Sequence, residues 1–202
     1  VICAVPLRVA SLIRWQPELP VPLKTLLADT PTWMAPQAKV VATYDQPFWR
    51  SQGLSGRIMS RSGPIGEAHD HCSPDLSVAA IFGFLAWPAS MRAEHTDTLV
   101  EQIASQFERC FGQSPAEIYL HDWATEPTVS TPQDLTGPAE HPSVRPNQVR
   151  TAVGDGRIRF AVAETSVLSP GLIEGALDSA EQTVEAFLGS APICRPLWRR
   201  ML

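Results

Sequence analysis

One stretch of the chain carries an apolar residue at every fourth position. Leu99, Ile103, Phe107 and Phe111 form a single stripe within residues 96–111, and Gly112 follows as a natural stop. That spacing predicts the clearest helix of the sequence. Further helices are predicted at about residues 172–188, closed by Gly189, and at 23–28, while residues 7–13 fit one or two helical turns. Beyond them Pro17, Pro20 and Pro22 enforce extended chain.

Runs of β-branched, aromatic and other apolar residues predict strands at 1–5 (closed by Pro6), 38–44 (AKVVATY), 54–60, 76–87 (LSVAAIFGFLAW), 118–123 and 157–163 (RIRFAVA). The 76–87 run is apolar almost without interruption, which predicts a strand buried on both faces. Residues 46–53 read as a turn whose Phe48 and Trp49 belong to the core, as does Trp123 further on. Residues 61–76, with Gly63, Pro64, Gly66 and Pro74, read as a hairpin connection. A polar, proline-rich stretch at 124–155 predicts a long irregular loop. Helices and strands mix without strict alternation. The expected fold is therefore α/β (α+β): a mixed β-sheet flanked by helices, not a doubly wound sheet.

Composition narrows the class. At 202 residues there is room for one substantial core or two small lobes, and 44% hydrophobic with 18% charged residues is globular, not disordered. The formal charge of −5 and the scattered basic residues argue against a nucleic-acid or membrane-surface partner. No apolar run approaches the roughly 18 residues needed to cross a bilayer. Cys3, Cys72, Cys110 and Cys194 are widely spaced with no C-x-x-C pair, the pattern of reduced thiols in a cytoplasmic protein. His69, Asp70, His71 and Cys72 all carry metal-ligating side chains. Neighbours in extended chain point to opposite faces, however, and no second ligand pair follows, so no metal site is expected.

Three patterns carry the candidate chemistry. The first is V-I-x-A-V-P at residues 1–6. The second is Lys39 heading a strand that ends in Pro47-Phe48-Trp49, followed by Gly53-Leu54-Ser55-Gly56. The third is G-R-I-R-F-A-x-x-E-T at residues 156–165, then Gly171, Glu174-Gly175-Ala176 and a helix. By itself a lysine at the head of a strand is an ordinary solvated residue. A strand–loop–helix unit, by contrast, offers the unpaired N–H groups and partial positive charge of a helix N-terminus to an electron-rich ligand. Gly171 and Gly175 suit close backbone approach.

In this order and spacing, with His121-Asp122-Trp123 ahead of Glu126, the patterns resemble the C-terminal half of the flavin-containing monoamine oxidases and their amino-acid and polyamine oxidase relatives. The resemblance covers residues 1–188. It implies FAD as cofactor, and a C–N bond of a small amine oxidised to an imine with release of peroxide. Lys39 then holds a water near flavin N5, where a cation stabilises developing negative charge. Glu164, with Thr165 beside it, accepts from the ribityl hydroxyls; Ile173 offers its backbone N–H to flavin O2, next to Gly171 and Leu172. Lys39 and the head of the last helix are expected to converge on one flat ring.

Departures from the family pattern shape the expectation. The two tyrosines that flank small amines are matched by Gln133 and Leu172, which become the candidate substrate contacts. The cysteine that tethers flavin in some members falls near Pro132, so the FAD is expected to be held non-covalently. Val162 stands where the family has glycine and is expected to crowd the cofactor. The twelve glycines contain no G-x-G-x-x-G spacing, so the dinucleotide-binding unit is expected upstream of Val1 or on a second chain. The resulting division is 1–13, a remnant of the FAD-binding domain; 14–150, the substrate-binding domain; 151–190, the closing strand and helix of the FAD-binding domain; and 191–202, a tail. The competing expectation is a non-catalytic interaction module that keeps the same fold without flavin.

Overall fold

The computed structural model describes residues 1–136, 141 and 156–189. In chain order the first elements are β1 (Ile2–Cys3), α1 (Leu7–Ala10), α2 (Val21–Asp29), β2 (Ala38–Tyr44), α3 (Phe48–Ser51), β3 (Ile58–Met59) and β4 (Ile65–Asp70). There follow β5 (Ala79–Leu85), α4 (Ala89–Glu94), α5 (Leu99–Phe111), β6 (Glu117–Asp122), α6 (Pro132–Thr136), β7 (Arg159–Phe160) and α7 (Ile173–Leu188). Two compact units result. Met34–Ser130 forms one, and Val1–Trp33 with the chain from Thr131 onward forms the other.

The unit Met34–Ser130 is built on a five-stranded antiparallel sheet in the order β3-β4-β5-β2-β6. Along β2, Ala38, Val40, Ala42 and Tyr44 point into the core and alternate with Lys39, Val41 and Thr43 on the open face. The amphipathic helix α5 lays Leu99, Ile103, Phe107 and Phe111 into that core, with Trp49 fully buried beside them. Its fifth buried residue is polar. The Gln106 Oε1 accepts from the Ile65 N–H at 2.8 Å, and its Nε2 donates to the carbonyls of Ser62 and Ile65 at 2.8 and 2.9 Å. Those bonds fasten the helix to the start of β4 and satisfy the amide inside an apolar layer.

The other unit pairs β1 with β7 in a short parallel ladder, Ile2 opposite Arg159 and Cys3 opposite Phe160. Leu7 and Ala10 from α1, Leu23 and Leu27 from α2, and Ile158, Phe160 and Val162 around β7 make its core.

Several expectations change against these elements. Residues 61–76 are not only a connection, because they hold β4. Its sequence, IGEAHD, has just two apolar side chains deep in the core, Ile65 and Ala68, too few to announce a strand. Strand β5 is not buried throughout: Ile81, Gly83 and Leu85 are buried on one face, while on the other Ala80 is buried but Phe82 and Phe84 stay partly exposed. The turn at 46–53 closes into the single helical turn α3, with Phe48 and Trp49 in the core as expected. Trp123 sits half-exposed in a 3-10 turn against the ring of His121. Within the 124–155 stretch, that turn and α6 are ordered elements; residues 137–140 and 142–155, like the 191–202 tail, lie outside the described residues.

Candidate flavin- and amine-facing site

Strand β7 buries Phe160 and then Val162, and delivers the chain to a 3-10 turn at Ala163–Thr165. The Val162 side chain belongs to one core cluster with Leu7, Cys3 and Phe160, which takes up its bulk. The Thr165 hydroxyl donates to the Val162 carbonyl at 2.8 Å and shares a 2.6 Å hydrogen bond with Ser179 on α7. Glu164 is only 8% exposed. Among the described residues its own amide is the single donor it meets, and burial pushes its carboxyl above the usual range.

From Ser166 the chain loops to the head of α7. Gly171 adopts φ +73°, a left-handed conformation open to glycine, and its carbonyl accepts from Trp33 Nε1 at 3.1 Å. Leu172 caps the helix through its backbone alone, with no side chain bonded to the first-turn amides. Ile173 is 85% exposed. Among the described residues, the head of α7 thus presents first-turn N–H groups that no side chain caps, and the positive end of a 16-residue helix, beside apolar side chains. Gly175 explains how the loop comes so close: a Cβ there would lie 1.9 Å from the Ser169 carbonyl oxygen and 3.1 Å from that of Ala163. Glu164, Thr165, Gly171, Leu172 and Ile173 therefore belong to one folded strand–turn–helix unit.

Gln133 lies exposed on α6, next to a buried carboxylate that the sequence reading passed over. Asp134 accepts from the Thr131 N–H at 2.9 Å and the Thr131 hydroxyl at 2.7 Å, from the Thr32 N–H at 3.0 Å, and from Arg8 at 2.5 Å. The pattern Thr131-Pro132-Gln133-Asp134, a capping box with proline at the first helical position, is the signal that would have located it. Nothing local announces its ion pair with Arg8, 126 residues away.

Lys39 belongs to the other unit. It stands on the open face of β2 between Phe84 of β5 and His121 of β6, and its Nζ lies 5.6 Å from the Phe84 ring centre. That geometry is a cation–π contact. Among the described residues no carboxylate pairs with Lys39, and the ammonium remains available to an electron-rich partner. The far end of β6 is anchored from behind. Arg92, 2% exposed, makes two 2.6 Å bonds to the Asp122 carboxylate and donates to the carbonyls of Trp87 and Pro36. Asp70, read in the sequence as a potential ligand, is instead engaged by Arg50 and by Trp49 Nε1.

Comparison with known proteins gives a consistent picture. The chain is 29% identical over 193 residues to a probable flavin-containing monoamine oxidase A of Dictyostelium discoideum, covering 89% of this chain and 40% of the relative. It is 27% identical over 200 residues to an L-amino acid dehydrogenase of Synechocystis (93% and 40%), and 28% identical over 198 residues to the flavin-containing amine oxidase B of Bos taurus (93% and 37%). It therefore spans about two fifths of the length of the curated relatives it matches. A putrescine oxidase variant shares the fold with a TM-score of 0.74 at 24% identity, over 93% of this chain and 42% of the other. A cyclohexylamine oxidase from Brevibacterium oxydans gives 0.68 at 23%, over 92% and 41%. With residues 1–188 matching the family described as flavin containing amine oxidoreductase, the chain belongs to that family.

Proposed function

We propose that this chain supplies the flavin- and amine-facing part of an FAD-dependent amine oxidase. The observation that carries the reading is Glu164. It is 8% exposed and, among the described residues, meets only its own amide, so burial disfavours its ionised form unless a further donor reaches it. The hydroxyls of a ribityl chain are donors of the right kind, and the free amides at the head of α7 suit the electron-rich pyrimidine edge of the same cofactor. The residues present fit the group.

In this reading Glu164 and Thr165 hold the sugar-alcohol chain of non-covalently bound FAD. Gly171, Leu172 and Ile173 bring the helix head to the ring, where its partial positive charge favours added electron density. Lys39 keeps a water and a positive charge at the reacting edge. Gln133 and Leu172 contact the amine, and their lack of aromatic rings points to a substrate not gripped between two tyrosines. Bound FAD would supply the redox chemistry: the amine would lose a hydride from its α-carbon and a proton from its nitrogen to leave an imine, and oxygen would take up the two electrons and two protons as hydrogen peroxide.

The dinucleotide-binding unit is then contributed by sequence outside residues 1–202 or by a second chain. The test is a visible spectrum of the full chain, purified with whatever copurifies and then titrated with FAD. Flavin absorbance that Glu164→Ala weakens supports the oxidase. A protein that stays colourless under both conditions refutes it and favours the interaction module.

A further inference from the structure

The loop that carries the helix head is held in an unusual way. Its apolar side chains are not buried: Leu168 is 74% exposed, and Val167, Leu172 and Ile173 are exposed as well. Among the described residues, hydrophobic packing therefore does not fix where residues 166–172 run. What is buried is polar. Ser166 is 1% exposed and Asp178, on the inner face of α7, is 2% exposed.

The Ser166 hydroxyl donates to the Asp178 carboxylate at 2.8 Å and accepts from the backbone N–H groups of Leu168 and Ser169, both at 3.2 Å. One donor and two lone pairs are thereby used, the full capacity of a serine hydroxyl. The second Asp178 oxygen accepts from Gln182 Nε2 at 2.7 Å, one helical turn further on, which fixes the carboxylate against the helix. One turn towards the head, Gly175 admits the Ser169 carbonyl onto the helix surface. The carboxylate thus orients a hydroxyl, and the hydroxyl orients two successive amides of the loop.

We propose that Asp178 is a positioning residue: acting through Ser166, it sets the path of loop 166–172 and so the direction in which the free amides at the head of α7 point. This rests on the flavin reading above for what those amides face, but the clamp itself is a property of the chain alone. Serine with a hydrogen-bonded carboxylate here is a spacer, not a nucleophile.

Amide hydrogen exchange on the full chain without FAD tests the clamp directly. Ser166→Ala removes the hub without changing charge. It should speed exchange at Leu168 and Ser169 by about tenfold or more, the loss expected for hydrogen bonds anchored on a charged group, while the β2 and β5 amides keep their rates. Asp178→Asn, which preserves shape and one acceptor oxygen, should give a smaller change at the same two amides. Unchanged rates at Leu168 and Ser169 in both variants would overturn the proposal. In FAD-loaded protein, Ser166→Ala should lower the flavin reduction potential while the cofactor stays bound, and an unchanged potential would equally overturn the positioning role. Failure of wild type to take up FAD would instead strike the flavin reading, and the exchange rates would still decide the clamp.

Discussion

Replacing Gly175 by alanine isolates one close contact. The new Cβ would stand 1.9 Å from the Ser169 carbonyl oxygen and 2.8 Å from its carbon, where real Cβ contacts stay beyond 3.0 Å. The obstacle is backbone, so no rotamer change can relieve it, and the loop must retreat by about 1.1 Å. Two effects oppose each other. Alanine is favoured over glycine inside a helix by about 0.8–1.0 kcal/mol. Overpacking against a fixed neighbour costs about 1–3 kcal/mol, and a clash of this depth belongs at the upper end. The net expectation is a loss of about 2 kcal/mol. With a urea dependence of about 2 kcal/mol/M, the unfolding midpoint should fall by about 1 M. Urea unfolding followed by circular dichroism and by tryptophan fluorescence measures it. A Gly175→Ala variant with an unchanged or higher midpoint would show that the loop does not lie on the helix at this point.

Asp122→Ala would leave the Arg92 guanidinium, 2% exposed, without its carboxylate; the expected loss is about 3–5 kcal/mol, read as a lower urea midpoint. Glu164 has a carboxyl raised by burial, so the folded chain holds that proton to higher pH than the unfolded chain, whose value lies near 4.3. Its contribution to stability is therefore greatest at low pH and falls as pH rises through the interval between the two values. Glu164→Gln should remove that slope and be at least as stable as wild type at pH 7, whereas a less stable variant would mean that the carboxylate has a stabilising partner. Asp70 has the opposite sign. The guanidinium of Arg50 holds its carboxyl well below the usual range. Its stabilisation is complete above about pH 3.9 and is lost as pH falls toward the folded value. Asp70→Asn should therefore flatten the acid limb of a stability–pH profile measured by urea midpoints.

The readable parts of the sequence are those whose physics is local. Strand β2 begins and ends where AKVVATY does, because its small and β-branched residues alternate cleanly between the two faces and a turn with Pro47 follows. Helix α5 follows from its four-residue stripe, though it starts at Leu99, three residues later than the pattern allowed. Strand β4 was hidden because its open-face residues are Glu67 and His69, which carry no strand signal of their own. The strand–turn–helix at Glu164 to Gly175 was legible as a motif because it is contiguous. That the close approach at Gly175 is to the Ser169 carbonyl was not, since a glycine reports the need for space and not the neighbour that fills it. Pairings across sequence, Arg92 with Asp122 and Arg8 with Asp134, depend on the finished fold, and no spacing encodes them.

The two units also divide stability from orientation. Around the five-stranded sheet the buried side chains are mostly apolar, with Gln106 and Arg92 held inside by hydrogen bonds, so substitutions there should register mainly as unfolding free energy. Along α7 the pattern is reversed: Asp178, Ser179 and Thr183 face inward while Ile173, Leu177, Val184 and Phe187 lie outward. Hydrogen bonds are directional and dispersion contacts are not, so a helix seated on polar groups is held at a defined rotation and its head points one way. Variants of the inward polar residues should therefore alter loop exchange and cofactor properties out of proportion to their effect on the urea midpoint. Variants of Ile103 or Phe107 should do the reverse.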